Sequence, residues 1–130
     1  MKPEVIVIME TVKIYESEYR LCKIVWKNEP IKSGKLVELC NEELGWKPST
    51  TYTVIKKLTE RGILVSEKMM VSSLIKEDEA QASIVREMLD SRFDSSGSAF
   101  IAAFAKSKTL TDKDIDEIQE MLNKIKEQRK

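Results

Sequence analysis

The chain has 130 residues, with 22 Lys plus Arg, 22 Asp plus Glu and no histidine, so its formal net charge is zero at neutral pH. This balance excludes a uniformly basic nucleic-acid coat. The 42% of hydrophobic residues suffices for a core in one domain or in a small domain with an appended element. The absence of histidine removes the commonest general base and metal ligand, and the scattered single glycines form no phosphate-binding loop. We therefore predict no enzyme, no metal site and no cofactor.

The apolar stretches of the sequence are short. None reaches the roughly 18 residues of a membrane-spanning helix, and the start of the chain lacks the apolar length and cleavage site of a secretory signal. We expect a soluble, cytoplasmic protein. Cys22 and Cys40 each stand alone in an apolar helical pattern, and two thiols without imidazole make a poor zinc site, so both are predicted to be buried and reduced.

Three helices are predicted in the first half of the chain from apolar residues at helical spacing. The breakers that end them are Pro30, Gly45 and Gly62, and the helices start near Glu16, near Lys32 or Ser33, and at Pro48. After Gly62, the runs 63–65 and 69–71 predict two short strands joined around residues 66–68. Three helices followed by a hairpin are typical of a winged helix.

The second half predicts three further helices. Residues 76–79 form an acidic start that suits the positive end of a helix dipole, and apolar residues at helical spacing then continue to Phe93. The turn formers of residues 94–98 interrupt the pattern, after which Phe100 to Phe104 predicts a short helix. Thr111 and Asp114 resemble a capping box at the start of the last helix.

The predicted fold class is mainly α, with a winged helix-turn-helix DNA-binding domain over residues 14–75 and a helical dimerisation region over residues 76–130. Residues 1–13 are predicted to be an N-terminal apolar arm or an added strand. The apolar stripes of the C-terminal helices are broad for a solvated appendage, and a second copy of the chain would cover them. The alternative is that these helices pack back on residues 14–75 in a monomer. The predicted dimerisation residues are Ile84, Met88, Phe100, Ile101, Phe104, Ile115, Ile118 and Leu122.

Basic charge is concentrated on the third helix and the hairpin. Residues 47–68 hold five basic and two acidic residues, whereas the rest of the chain is net acidic. A helix that enters the major groove needs small or hydrogen-bonding residues where its backbone approaches the bases, and long basic side chains that reach phosphates. The predicted DNA-binding residues are Lys47, Ser49, Thr50, Tyr52, Thr53, Lys56, Lys57 and Lys68. Because none of them is Asn, Gln or Arg, we expect modest base discrimination, increased by dimer geometry.

The segment from Glu43 to Leu58, which reads ELGWKPSTTYTVIKKL, together with residues 17–31 and 61–64, resembles the penicillinase-repressor family (BlaI/MecI/CopY type). The resemblance covers roughly residues 14–125 and includes the last helix around residues 110–118. It implies a homodimeric bacterial repressor with an N-terminal winged helix on a dyad operator and a helical C-terminal dimerisation region.

The sequence departs from the family pattern at three places. The hairpin is about four residues shorter than usual and lacks the Gly-Arg pair. The position of the Asn-Phe bond that is cleaved in β-lactam-responsive members holds Ala103 and Phe104, which argues against induction by that route. The cluster of four C-terminal cysteines found in copper-responsive members has no counterpart, because no cysteine follows Cys40.

The leading functional hypothesis is a homodimeric repressor whose partners are double-stranded DNA with a dyad operator and a second copy of itself, with no membrane partner. The alternative is a winged-helix protein-interaction module in which DNA binding is weakened or lost, which the short hairpin and the net neutrality of the chain favour. An enzyme is the weakest hypothesis. The sequence identifies neither the inducing signal nor a sensor or second regulator.

Overall fold

The computed structural model describes residues 12–129. The predicted arm or added strand over residues 1–13 therefore lies outside the described residues, except for Val12 and Lys13. The elements in chain order are α1 (Glu16–Asn28), β1 (Ile31–Lys32), α2 (Ser33–Leu44), α3 (Pro48–Glu60), β2 (Leu64–Glu67), β3 (Met70–Ser73), α4 (Glu77–Arg92), α5 (Gly97–Ser107) and α6 (Asp112–Gln128).

The helix boundaries follow the local signals in the sequence. Gly45 ends α2 in the left-handed conformation, with φ at 73°, and Gly62 follows α3 with φ at 76°. Pro48 occupies the first turn of α3, where its missing N–H leaves no helical hydrogen bond unmade. At the start of α6 the Thr111 and Asp114 side chains each accept a hydrogen bond from the other residue's backbone N–H. These predicted signals are confirmed.

The three strands form one antiparallel sheet in the order β1, β3, β2. Ile31 of β1 pairs with Val71 of β3, and Leu64 of β2 pairs with Ser73. Strand β1 was not predicted, because two residues are too few to show a strand's alternation of apolar and polar side chains.

The predicted position of the hairpin turn was wrong. The prediction joined the strands around residues 66–68, but β2 extends to Glu67 and the turn consists of Lys68 and Met69 alone. Both turn residues have positive φ, 51° and 65°, as a two-residue turn of this kind requires. Lys68 and Met69 carry no turn signal, because two-residue turns of this kind usually contain Asn, Asp or Gly.

The core lies between α1, α2, α3 and the sheet. Its fully buried large side chains include Leu21, Val25, Leu36, Leu58, Ile63, Leu64 and Val71. Two hydrogen bonds fasten the C-terminal end of α1 to the end of β3 and the residues that follow it. Trp26 of α1 donates from Nε1 to the Ile75 carbonyl at 3.0 Å, and Glu29, just after α1, accepts from the backbone N–H of Ser73 in β3 at 2.7 Å. Three helices closed by a small antiparallel sheet constitute a winged helix-turn-helix, and the predicted fold class is confirmed.

The chain divides into two compact units, one ending at Glu87 and the other beginning at Met88, so the boundary falls within α4. In the first unit, α4 contributes the buried Ala80 to the core. In the second unit, the rings of Phe93 and Phe100 pack edge to face with centroids 5.5 Å apart. Neither α5 nor α6 contains a buried residue.

Candidate nucleic-acid interface

The turn between α2 and α3 is held by three hydrogen bonds. The N–H of Gly45 donates to the Asn41 carbonyl at 3.0 Å, and that of Trp46 donates to the Cys40 carbonyl at 3.3 Å. The Asn41 side chain in turn donates from Nδ2 to the Trp46 carbonyl at 3.0 Å. Because carbonyls at the end of α2 and the backbone of the turn are both bonded, the start of α3 is fixed relative to α2.

The two sides of α3 differ sharply in character. Thr51, Ile55 and Leu58 are buried against the core, as their spacing of four and three residues requires. Every residue of α3 that was predicted to bind DNA is exposed, as is Lys47 just before the helix. Those in α3 are Ser49, Thr50, Tyr52, Thr53, Lys56 and Lys57. The structure therefore brings seven of the eight predicted DNA-binding residues together on one helix and its N-cap.

The exposed face of α3 is small and polar at its start and basic further along. Ser49, Tyr52, Thr53 and Lys56 follow one another at the spacing of a single helix face. The Tyr52 side chain is 49% exposed. The Thr53 hydroxyl donates to the Ser49 carbonyl at 2.9 Å, so its oxygen faces any ligand as an acceptor rather than as a donor.

The lysines of this region carry charge that is not neutralised locally. Within residues 12–129 no carboxylate lies within 4.0 Å of the ammonium groups of Lys47, Lys56, Lys57 or Lys68. The field of Lys57 does reach Glu18, whose pKa it helps to lower. These side chains are free to approach a phosphate backbone without first breaking an ion pair.

Arg61 contributes to the basic excess of residues 47–68, but its charge is paired with a carboxylate of the protein itself. Its guanidinium donates to both carboxylate oxygens of Glu18, at 2.7 and 2.8 Å, and to the carbonyl of Lys13 at 2.6 Å. The Arg61 hydrogen bond, more than any other interaction, holds the pKa of Glu18 below its ordinary value, and the same pair raises the pKa of Arg61. Residue-type patterns did not reveal this pair, because its members are 43 residues apart.

Lys68 is the one predicted DNA-binding residue that lies on another element, the hairpin turn. The turn is tied to the start of α2, because the Met69 carbonyl accepts a hydrogen bond from the Ser33 N–H at 2.8 Å. With only two residues between β2 and β3, the wing has no loop, and its tip presents the side chains of Lys68 and Met69.

The predicted dimerisation residues remain largely uncovered in the single chain. Ile84, Met88, Ile101, Ile115 and Leu122 are between 38% and 54% exposed, and Phe100, Phe104 and Ile118 are half-buried. Met121 and Ile125, which the prediction did not include, are 60% and 46% exposed. Such a density of exposed large apolar side chains is unusual for a solvated surface.

The two cysteines are buried and unpaired, as predicted. Burial raises the pKa of the Cys22 thiol to about 12 and also raises that of Cys40, an effect which the nearby Thr51 hydroxyl partly offsets. Among residues 12–129, no group of three or more Cys, Asp or Glu side chains is arranged to hold a metal ion. None of the described helices is long and apolar enough to cross a membrane.

Comparison with known proteins identifies relatives along most of the chain. Residues 14–124 match the sequence model of the family described as Penicillinase repressor. An uncharacterised 16.5 kDa protein of Latilactobacillus sakei is 27% identical over 86% of this chain and 80% of its own length. The penicillinase repressor of Staphylococcus aureus is 25% identical over 88% of this chain and 94% of its own length. The methicillin resistance regulatory protein MecI of the same organism is 20% identical over 88% of this chain and 97% of its own length.

Proposed function

Because this chain belongs to the penicillinase repressor family, we propose that it is a homodimeric transcriptional repressor that binds a palindromic operator through the exposed face of α3. The family is one of transcriptional repressors rather than enzymes. The observation that carries the proposal is the two-sided character of α3, which is apolar toward the core and polar and basic toward solvent. Two of the three relatives, the staphylococcal MecI and penicillinase repressor, are named as a regulatory protein and a repressor, which agrees with this role.

The residues of α3 have distinct proposed roles. Ser49, Thr50 and Thr53 are short, so they allow the helix backbone to approach base edges in the major groove. The Thr53 oxygen would accept a hydrogen bond from a base amino group, since its own proton is bonded to Ser49. Lys47, Lys56 and Lys57, with Lys68 from the hairpin turn, would contact phosphates.

Affinity in this scheme depends on two reading heads, by which we mean the winged-helix domains of the two protomers, each with its own α3. Each head offers few phosphate contacts, because Arg61 is bonded to Glu18 and the wing contributes only Lys68. A lone reading head therefore binds DNA weakly, and the remaining affinity comes from a dimer that contacts two half-sites at once. The exposed apolar residues of α4, α5 and α6 are the proposed dimer interface.

Selection from a pool of random duplexes with the full chain tests the proposal. We expect an enriched dyad whose half-site centres are about 10 base pairs apart or a multiple of that distance. Lys56→Ala should weaken binding to all sequences and reduce the slope of log affinity against log salt by about two, one phosphate contact for each protomer of the dimer. Thr53→Ala should instead alter base preference. Lys23→Ala, which removes an exposed lysine from α1, is the matched control and should leave both quantities unchanged.

The alternative function, a protein-interaction module, is favoured by the two-residue wing and by the internal use of Arg61. No enrichment of any motif at low salt, with a full-length and folded chain, would contradict the repressor proposal and support this alternative.

A further inference from the structure

Residues 12–15, which we term the strap, lie ahead of α1 and contact α4. The Ser83 hydroxyl donates to the Val12 carbonyl at 3.0 Å, and the ammonium group of Lys13 lies 3.5 Å from a carboxylate oxygen of Glu87. The Val12 and Ile14 side chains are half-buried and pack against the core. The strap is therefore part of the folded winged helix rather than a free end.

The contacts on α4 lie along one helix face. Ala80, Ser83 and Glu87 are spaced by three and four residues, which places them on the same side of the helix. Ala80 is 1% exposed and marks the last point at which α4 enters the core. The strap contacts the same face at Ser83 and Glu87, about one and two turns after Ala80, in a part of α4 that contributes no buried residue to the core.

The other side of the strap is bonded to the end of α3 and to the start of α1. The Lys13 carbonyl accepts from Arg61, which caps the C-terminus of α3, and the Tyr15 N–H donates to Glu18 at 3.0 Å. Glu18 is in turn the partner of Arg61. A continuous set of bonds thus links α4, through two strap residues, to the helix proposed to enter the major groove.

We propose that the strap fixes the direction in which α4 leaves the winged helix, so that Lys13 and Ser83 act as positioning residues for the spacing of operator half-sites. The inference rests on the proposed function. Helix α4 is the element through which the reading head continues to the proposed dimer interface, so its direction sets the separation of two heads in a dimer. Val12 and Lys13 precede residues 14–124, the part of the chain that matches the family.

The test compares the wild-type chain with the double variant Lys13→Ala, Ser83→Ala, which removes the hydrogen bond from Ser83 to the Val12 carbonyl and the ion pair between Lys13 and Glu87. The first readout is backbone amide hydrogen exchange along α4, measured without DNA. The second uses the dyad selected by the wild-type chain, the same dyad with one base pair inserted between its half-sites, and a single half-site.

In the variant we expect α4 amides from residue 84 onward to exchange several-fold faster. The affinity for the single half-site should stay within about twofold of wild type. The penalty for the inserted base pair should fall from at least about tenfold to about twofold to threefold. Arg20→Ala, which breaks an exposed ion pair with Glu16 on α1, is the matched control and should change none of these quantities.

Unchanged exchange along α4, or an insertion penalty that stays at the wild-type value in the variant, would overturn the inference. A general loss of folding would lower the half-site affinity as well and is thereby distinguished from a loss of spacing preference. If the wild-type chain selects no dyad, the proposed function fails, and with it the role in spacing, while the exchange readout still decides whether the strap holds α4.

Discussion

The guanidinium group of Arg61 and the carboxylate of Glu18 form a two-pronged ion pair, with N–O distances of 2.7 and 2.8 Å. The Glu18 side chain is 7% exposed, so its charge is nearly removed from water and depends on this partner. The pair joins the end of α3 to the first turn of α1. It therefore fixes the orientation of the proposed reading helix rather than contacting DNA.

Arg61→Met should destabilise the protein strongly, because it leaves the Glu18 carboxylate buried without a cation. We expect a loss of about 2–4 kcal/mol in the free energy of unfolding, measured by urea denaturation. Arg20→Ala, which breaks an exposed pair, should lose less than about 0.5 kcal/mol. Equal losses in the two variants would show that Glu18 does not depend on Arg61.

Acid should destabilise the protein through Glu29 as well as Glu18. Burial opposes ionisation of Glu29, but the Ser73 N–H and hydroxyl and the Lys76 ammonium group outweigh it and hold its pKa below the ordinary 4.5. A carboxylate with a lowered pKa contributes stability above its unfolded pKa and loses that contribution as the pH falls through the folded value. The free energy of unfolding should therefore decline as the pH drops below about 4.5.

The variant Glu29→Gln tests whether the loss of stability in acid originates in the Glu29 carboxylate. It should be less stable than wild type by about 1–2 kcal/mol at neutral pH and should approach wild type near about pH 3. Urea denaturation at several pH values measures the two curves. Glu42→Gln, at an exposed position on α2, should retain the wild-type decline. A constant difference between wild type and Glu29→Gln at every pH would contradict the assignment.

Thr51 carries a buried hydroxyl that the fold leaves poorly satisfied. The residue is fully buried, and within residues 12–129 its Oγ1 has no hydrogen-bond partner, with only the weakly bonding Cys40 thiol nearby. Thr51→Val should raise the free energy of unfolding by about 1 kcal/mol, because it replaces a buried polar atom with a methyl group. The control Thr59→Val should lower it, since the Thr59 hydroxyl donates to the Ile55 carbonyl at 2.7 Å. Destabilisation by both variants to a similar degree would contradict this account.

The exposed apolar residues of α6 predict the effect of introducing charge there. Ile118→Asp with Leu122→Asp should convert a dimer to a monomer in light scattering, because burying each of these side chains is worth about 1.5–3 kcal/mol and a carboxylate reverses that gain. The control variant, Gln119→Asp with Asn123→Asp, shifts each charge by one residue and hence about 100° around the helix. It should stay dimeric. A dimeric Ile118→Asp, Leu122→Asp variant would place the interface elsewhere.

Much of this fold follows from signals that act locally. Helical spacing, Pro48, Gly45, Gly62 and the Thr111 cap each determine conformation within a few residues, and the structure confirms every one. The exposed face of α3 was predictable for the same reason, because burial of Thr51, Ile55 and Leu58 dictates which residues face solvent. The DNA-binding and dimerisation roles of the exposed residues remain predictions.

The features that escaped prediction depend on tertiary contacts. Strand β1 exists because β3 pairs with it, and the two residues carry no pattern of their own. Lys68 and Met69 both have positive φ, although neither is Asn, Asp or Gly. Each such conformation costs of order 1–3 kcal/mol. The pairing of β2 with β3 and the hydrogen bond from the Ser33 N–H to the Met69 carbonyl offset this cost. The pairing of Arg61 with Glu18 gives a structural role to one of the five basic residues counted in the charge excess of residues 47–68.

The burial of both native thiols has a practical consequence for following this protein in solution. With the pKa of Cys22 near 12 and that of Cys40 also raised, the reactive thiolate is scarce at neutral pH. A cysteine introduced at an exposed position such as Thr50 would therefore be the principal site of alkylation. A fluorophore or a DNA-cleaving reagent attached there would report directly on where the start of α3 lies along an operator.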